Sequence, residues 1–468
     1  MSAPGSRRAA SGETAGAEPG WRVELAAQLR LALPVILVQI GLVAMGVVDG
    51  AFMGRVSAAE YAAVSLGHSY TFTLLGFAMG TLAALDPIVS QAHGAGEPEA
   101  IARALQRGIV LALVLSVPVA ALCLPVEGVL TWLGEPAEVV PIATTNIHIS
   151  ILGLPAFLLF VAQRQTLQAT NCLRPLVLVI VLANALNAFL DWVLVWGHLG
   201  APALGAAGCA WATVTARWCM ALALPFVARA ALGRSLWPLR PGIGDLAVYG
   251  RMLQLGLPIG LSFGLEIGAF AAVLFLMGNL GEVALAGHQV AFSMVSTSFM
   301  VPLGIAMAAS VRVGNQIGRG DASGARRACG VALCCGGGAM LVSAAAFLLA
   351  PGPLARLFTD IDPVLGTAVL LIPIAGLFQV FDGLQGVAMG CLRGMADTRV
   401  PFLIHLLGFW GLAIPLSRYL AFQRDLGARG LWWGLAAGLF AVALVQLLRV
   451  RTVLRRGLTR VRVEREGA

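Results

Sequence analysis

The sequence predicts an all-α integral membrane protein, with twelve transmembrane helices in two parallel six-helix repeats. Three observations carry that expectation. The 468 residues are 59% hydrophobic and only 12% charged, against about 25% charged in soluble domains, and mean hydropathy is +0.86. The apolar stretches are long and continuous, of the roughly 20 residues a helix needs to cross a bilayer. They are unlike the alternating segments of about ten residues in an outer-membrane barrel. The third observation is an internal repeat. "GFAMGTLAALDPIVSQAHGAGE" and "VPLGIAMAASVRVGNQIGRGD" place Gly80 against Gly304, Gly94 against Gly318 and Gly96 against Gly320, each pair 224 residues apart.

The elements follow in order. Residues 1–24 form a polar, cytoplasmic N-terminus expected to be disordered. Arg7 and Arg8 run into polar residues, so this segment is not read as a signal peptide. The first half, 25–228, holds apolar spans at 28–52, 62–86, 104–124, 141–163, 175–197 and 204–228. Residues 229–247, rich in Arg, Pro and Gly, read as a cytoplasmic linker. The second half, 248–450, holds spans at 248–276, 286–310, 328–350, 364–390, 399–421 and 428–449. A basic cytoplasmic tail, 451–468, follows.

Arginine tests this count. Every basic residue is Arg, which points to a high-GC, bacterial genome, and net charge is +8. One set of connections holds Arg103, Arg107, Arg164, Arg174, Arg312, Arg319 and Arg393, and the tails add more. The opposite loops hold only Arg55, Arg356, Arg418, Arg424 and Arg429. The positive-inside rule then puts both termini in the cytoplasm of a bacterial inner membrane. Membrane orientation accounts for the charge, so no nucleic-acid partner is expected. The eight cysteines lack metal-ligand spacing and read as small packing residues.

More landmarks keep the repeat offset. "LALP" at Leu31–Pro34 matches "LGLP" at Leu255–Pro258, and Met53–Gly54 matches Met277–Gly278. Six spans per half is an even number, so both halves enter from one side. Parallel repeats of this kind belong to secondary transporters, with sites at the interface between repeats. Pro34 and Pro258 occupy the same repeat position and read as hinges, as fixed kinks, or as first-turn residues. Gly94, Gly96, Gly318 and Gly320 read as turn glycines. Trp432, Trp433 and Tyr61 read as interfacial anchors.

Few carboxylates fall within the spans: Asp49, Asp86, Asp191, Glu266 and Asp382. Each costs about 2.5–3.5 kcal/mol at a helix centre on the insertion scale and is a functional candidate for that reason. Asn184, Asn187 and Asp191 share one helical face. Asp382 is flanked at three-residue steps by Gln379 and Gln385. Carboxylate and carboxamide oxygens suit a hard cation such as Na⁺, here at Asp49, Asn187 and Asp191. A desolvated carboxylate suits a proton instead.

"ALDPIVSQAHGAGE", "AGHQVAFSMVSTSFMVPLGIAMAASVRVGNQIGRG" and "GCLRGMADTRVPF" together resemble the MATE family, multidrug and toxic compound extrusion, over about residues 25–450. The resemblance is to its NorM-type and eukaryotic branches. It implies a bilobed, V-shaped monomer among membrane lipids. It implies export of organic, often cationic, small molecules against Na⁺ or H⁺, with no cofactor and no enzymatic step. It assigns Asp49, Asn187 and Asp191 to a first-half ion site, with Thr213 resembling a hydroxyl of that site, and Glu266 and Asp382 to second-half acids. Asp86 resembles acids of eukaryotic members. An alternative within the superfamily is a lipid-linked oligosaccharide flippase. That would need an Arg-rich cavity for pyrophosphate, and only Arg217 lies deep in a span. A membrane enzyme is disfavoured by the lack of HExxH, GxSxG or paired metal-binding acids.

Overall fold

A computed structural model describes residues 20–461. The disorder expected over residues 1–19 and the tail at 462–468 lie outside the described residues. The protein is all-helical among the described residues. Among the described residues eleven helices are long and apolar enough to cross a membrane, or twelve if one bent pair counts as a single span.

The first half comprises α1 (Trp21–Met53), α2 (Ala58–Leu82), α3 (Leu85–Gly94), α4 (Pro98–Cys123), α5 (Val126–Trp132), α6 (Val139–Ile151), α7 (Leu154–Ala169), α8 (Arg174–Trp196) and α9 (Ala206–Val227). After the short α10 (Arg229–Leu236) come α11 (Leu246–Gly278), α12 (Glu282–Gly318), α13 (Ala322–Leu349), α14 (Pro351–Arg356) and α15 (Asp362–Gly394). The chain ends in α16 (Arg399–Gln423) and α17 (Gly427–Arg455).

The repeat is visible in the helices themselves. Helices α1 and α11 are both 33 residues long and each holds its proline in the interior, Pro34 and Pro258. The first-turn reading of these prolines is therefore excluded, and both helices run on unbroken. The segment Ala58–Gly94 corresponds to Glu282–Gly318, and each covers 37 residues. The halves differ where proline enters. Pro87 stands in the first turn of α3, where its ring and missing N–H break the bond back to Ala83, so α2 and α3 separate. Its counterpart Val311 lets α12 continue. Pro155 likewise ends α6 at Ile151, and α7 leaves at 51°.

Several expected boundaries move. Trp21–Glu24 are helical, not disordered, because Glu24 is buried against an arginine of the other half. Arg164 is not in a connection but buried in α7, donating to Gln39 at 3.0 Å. The linker 229–247 contains α10, and the basic tail is helical to Arg455. Trp432 is a core residue, not an anchor, and its indole N–H meets His288 Nδ1 at 3.1 Å. Trp433 and Tyr61 are exposed, as expected. Asp321 caps α13, accepting from Gly324 N at 2.8 Å. That bond, with Ser323, holds its carboxyl below the usual range.

The halves meet at the end of the bundle that carries both described termini. Arg312 grips Glu24 with two bonds of 3.0 and 2.7 Å. Arg393 stands 3.5 Å from Asp86. Gln28 donates to Ile305 O at 3.1 Å, and Gln91 to Gly394 O at 3.0 Å. Gly96 (φ +72°) and Gly320 (φ +76°) turn the chain as expected. Gly94 and Gly318 do something else. Both are helical, and a Cβ on either would overlap a backbone carbonyl of the opposite half, Asn315 O or Gln91 O respectively. These paired glycines let two backbones touch.

The Glu24–Arg312 pair is testable on its own. Breaking a buried pair from one side costs about 3–5 kcal/mol, because the remaining charge is stranded. Glu24→Met should lower the apparent Tm of purified protein clearly. Adding Arg312→Met should recover most of the loss. A double variant no better than the single one would show that the pair contributes net stability.

Candidate functional site

The first cluster forms where α1, α8 and α9 pack together. Asp49 lies one turn from the end of α1, and its Oδ2 accepts from Thr213 Oγ1 at 2.9 Å. Asn187 and Asp191 lie four residues apart on α8, so one helical face carries both. Asp49, Asp191 and Cys209 each bring a ligand atom to within 4.8 Å of the others. Asp49 Oδ1, both Asp191 oxygens and both Asn187 polar atoms are buried without a hydrogen-bond partner. Buried polar groups are normally satisfied. Unsatisfied oxygens converging from two carboxylates and an amide form a receptacle for a proton or a small hard cation. A narrow cavity adjoins the cluster, lined by Asp49, His68, Asn146, Thr213 and Arg217. Arg217 stacks on the Phe157 ring at 5.1 Å.

The second cluster sits in the other half, between α11, α15 and α16. Gln385 Nε2 donates to Glu266 Oε1 at 3.0 Å and Asp382 Oδ1 at 3.3 Å. His405 Nε2 lies 3.1 Å from Gln385 Oε1. An amide oxygen only accepts, so His405 donates there. The ring thus fixes which end of the amide faces the acids. The other ring nitrogen is 3.5 Å from Ser262 O, beyond good bonding range. His405 directly precedes a π-helical stretch, Leu406–Ala413, a distortion frequent at functional sites.

Some expected partners lie elsewhere. Asn184 donates to Gly41 O at 3.0 Å, joining α8 to α1 instead of completing the acid cluster. Gln379 accepts from Ser343 at 2.7 Å and faces α12 and α13, so Gln385 alone of the two flanking glutamines meets the acids. Asp86 belongs to neither cluster. It is buried at the junction, opposite Arg393. Cys209 and His405 were not singled out by sequence, since a lone thiol and a lone imidazole carry no spacing signal.

Two matching helical halves, each holding an acidic cluster within its helices, define a polytopic membrane protein built on an internal repeat. The MatE family model matches twice, over residues 34–193 and 258–418, the second match beginning 224 residues after the first, at the repeat offset. The chain belongs to the MatE family. It is 37% identical over 442 residues to a probable multidrug resistance protein NorM of Bradyrhizobium diazoefficiens, covering 92% of this chain and 94% of that one. It is 34% identical to multidrug resistance protein PmpM of Pseudomonas aeruginosa, covering 96% of this chain and 95% of that one. Among solved structures, the eukaryotic MATE transporter AtDTX14 superposes with TM-score 0.85 at 22% identity, over 94% of this chain and 100% of that one. An outward-facing multidrug resistance MATE transporter gives TM-score 0.83 at 20% identity, over 92% and 96%.

Proposed function

We propose that the chain is a secondary active antiporter. It exports organic, often cationic, drugs and toxic compounds in exchange for Na⁺ or H⁺ by alternating access. The observation that carries this reading is the pair of acidic clusters, buried Asp49 with Asp191 and half-buried Glu266 with buried Asp382, one in each half of a two-fold scaffold. An ion held at either cluster favours one arrangement of its helices, and an organic cation in the cavity favours another. Exchange needs only that the two ligands prefer different states. The multidrug resistance names of its relatives support the substrate class. The arginine asymmetry supports a bacterial inner membrane with the termini side cytoplasmic, and the protein acts as a monomer. A pyrophosphate flippase is disfavoured, since Arg217 is the only arginine lining the cavity beside the first cluster, while Arg393 faces Asp86 and Arg164 binds Gln39.

The test is ethidium efflux from proteoliposomes under a Na⁺ gradient or a pH gradient, imposed separately. Parent protein should respond to at least one. Asp382→Asn with Glu266→Gln should still purify as a monodisperse monomer, yet lose gradient-driven export by about tenfold or more, within the usual range of coupling energies. Full export by the double variant would make this cluster structural and leave coupling to Asp49 and Asp191.

A further inference from the structure

A groove of about 510 Å³ lies between α13 and α17, away from both acidic clusters. We infer that it is a binding site for one anionic phospholipid, with the phosphate held by Arg326, Arg451 and Arg455 and an acyl chain lying on Leu333 and Leu447.

The polarity of the groove carries the argument. Helix α13 begins at the termini end of the bundle, and α17 finishes there. Along α13, Arg326, Gly330 and Leu333 follow one face, with Arg326 nearest that end. Along α17, the order reverses: Leu447, then Arg451, then Arg455 at four-residue steps. The two helices therefore place three guanidiniums together at the edge. At about 1.5 Å per residue, Leu333 lies about 10 Å deeper than Arg326, and Leu447 about 6 Å deeper than Arg451 and about 12 Å deeper than Arg455. Positive at the rim and apolar further in is the polarity of a phospholipid seen from its head.

Shape and charge agree. Gly330 has no side chain and the neighbouring Cys329 is buried; a Cβ at Gly330 would come 3.2 Å from the Trp21 ring, so glycine there lets the indole pack against α13 beside the groove. Trp21, 54% exposed, stands beside Gly330 at the rim, in the usual place of an interfacial indole. Arg326 uses one nitrogen on Leu454 O at 3.2 Å, which ties the two helices together and leaves its other donors for a ligand. Among the described residues no carboxylate lines the groove. Arginine recognises phosphate oxygens through paired, charge-assisted bonds, and basic pockets between helices on the cytoplasmic side take anionic head groups.

The experiment uses the full chain, purified in detergent and stripped of lipid. Phosphatidylglycerol, phosphatidylcholine and inorganic phosphate are titrated separately, with bound mass read by native mass spectrometry and apparent Tm followed in parallel. Phosphatidylglycerol should bind one-to-one and raise the Tm, while phosphatidylcholine and free phosphate should not. Replacing Arg326, Arg451 and Arg455 together by Gln should weaken binding about a hundredfold. Replacing Arg418, Arg424 and Arg429 by Gln, at the other end of the bundle, should leave it unchanged. Leu333→Trp, which keeps every charge but fills the apolar part of the groove, should also lower occupancy. Equal binding of phosphatidylcholine, tight binding of free phosphate, or equal loss in both triple variants would each overturn the assignment. Should the first triple variant fail to fold, the lipid comparison on the parent and Leu333→Trp still decides.

Discussion

Asp49→Asn should cut gradient-driven ethidium export by roughly 5–150-fold while leaving the protein as stable as the parent, or more so. The substitution keeps the shape of the side chain. Thr213 donates to Asp49 Oδ2 at 2.9 Å, and an asparagine oxygen can accept the same bond. What disappears is one negative charge from a cluster in which Asp191 is fully buried and both its oxygens lack a hydrogen-bond partner. Burying a carboxylate whose second oxygen has no hydrogen-bond partner is unfavourable, so neutralising it does not weaken the fold. The same charge is what a cation or proton would bind. Typical coupling energies of about 1–3 kcal/mol correspond to roughly 5–150-fold in affinity, and export driven by the gradient should fall by a factor in that range. Thermal unfolding and efflux measured on one preparation separate the two effects. Loss of export together with a large drop in Tm would mark Asp49 as a folding residue. Full export at parental stability would remove it from the mechanism.

Much of this architecture was legible in the sequence because it rests on signals that are local or periodic. Apolar length gave the spans, and the offset between Gly80 and Gly304 announced matching halves whose helices later proved to correspond. Asn187 and Asp191 could be placed on one face by counting four residues, and Asp191 comes within 4.8 Å of Asp49. What local spacing cannot encode is which neighbouring helix a face meets. Gln379 and Gln385 flank Asp382 symmetrically in sequence, yet only Gln385 reaches Glu266 on α11, while Gln379 turns to Ser343 on α13. Asn184 shares the face of Asn187, but α1 approaches closely enough for Gly41 O to take its amide. Asp86 read as a span carboxylate. Its role is instead an ion pair with an arginine 307 residues later in the chain. His405 and Cys209 belong to the clusters purely through tertiary packing. The glycines at 94 and 318 drew attention correctly, for the wrong reason. Only their neighbours Gly96 and Gly320 use positive φ.

The purpose of Gly94 and Gly318 leads to the prediction with the widest consequence for transport. A methyl group added to either would overlap a backbone oxygen of the other half, not the tip of a flexible side chain. Relief requires the halves to part at the termini end. Inserting a methylene into close packing costs typically about 1–3 kcal/mol. Two sites related by the internal repeat act on the same closure, so Gly94→Ala with Gly318→Ala should penalise the closed junction by several kcal/mol. Every 1.4 kcal/mol is about tenfold, so the closed state should lose at least one to two decades of population relative to states with that end open. Alternating access needs both states, and export should fall accordingly. Hydrogen exchange at 85–94 and 310–318 should quicken, since these helices are protected by each other. Gly338→Ala is the control. It lies within α13 with nothing within 4 Å of a built Cβ. Helix propensity there favours Ala over Gly by about 0.8–1.0 kcal/mol, so export and exchange should match the parent. If the Gly94, Gly318 double variant keeps parental protection and parental export, the close approach of these backbones is dispensable, and the repeated glycines record only the shared descent of the two halves.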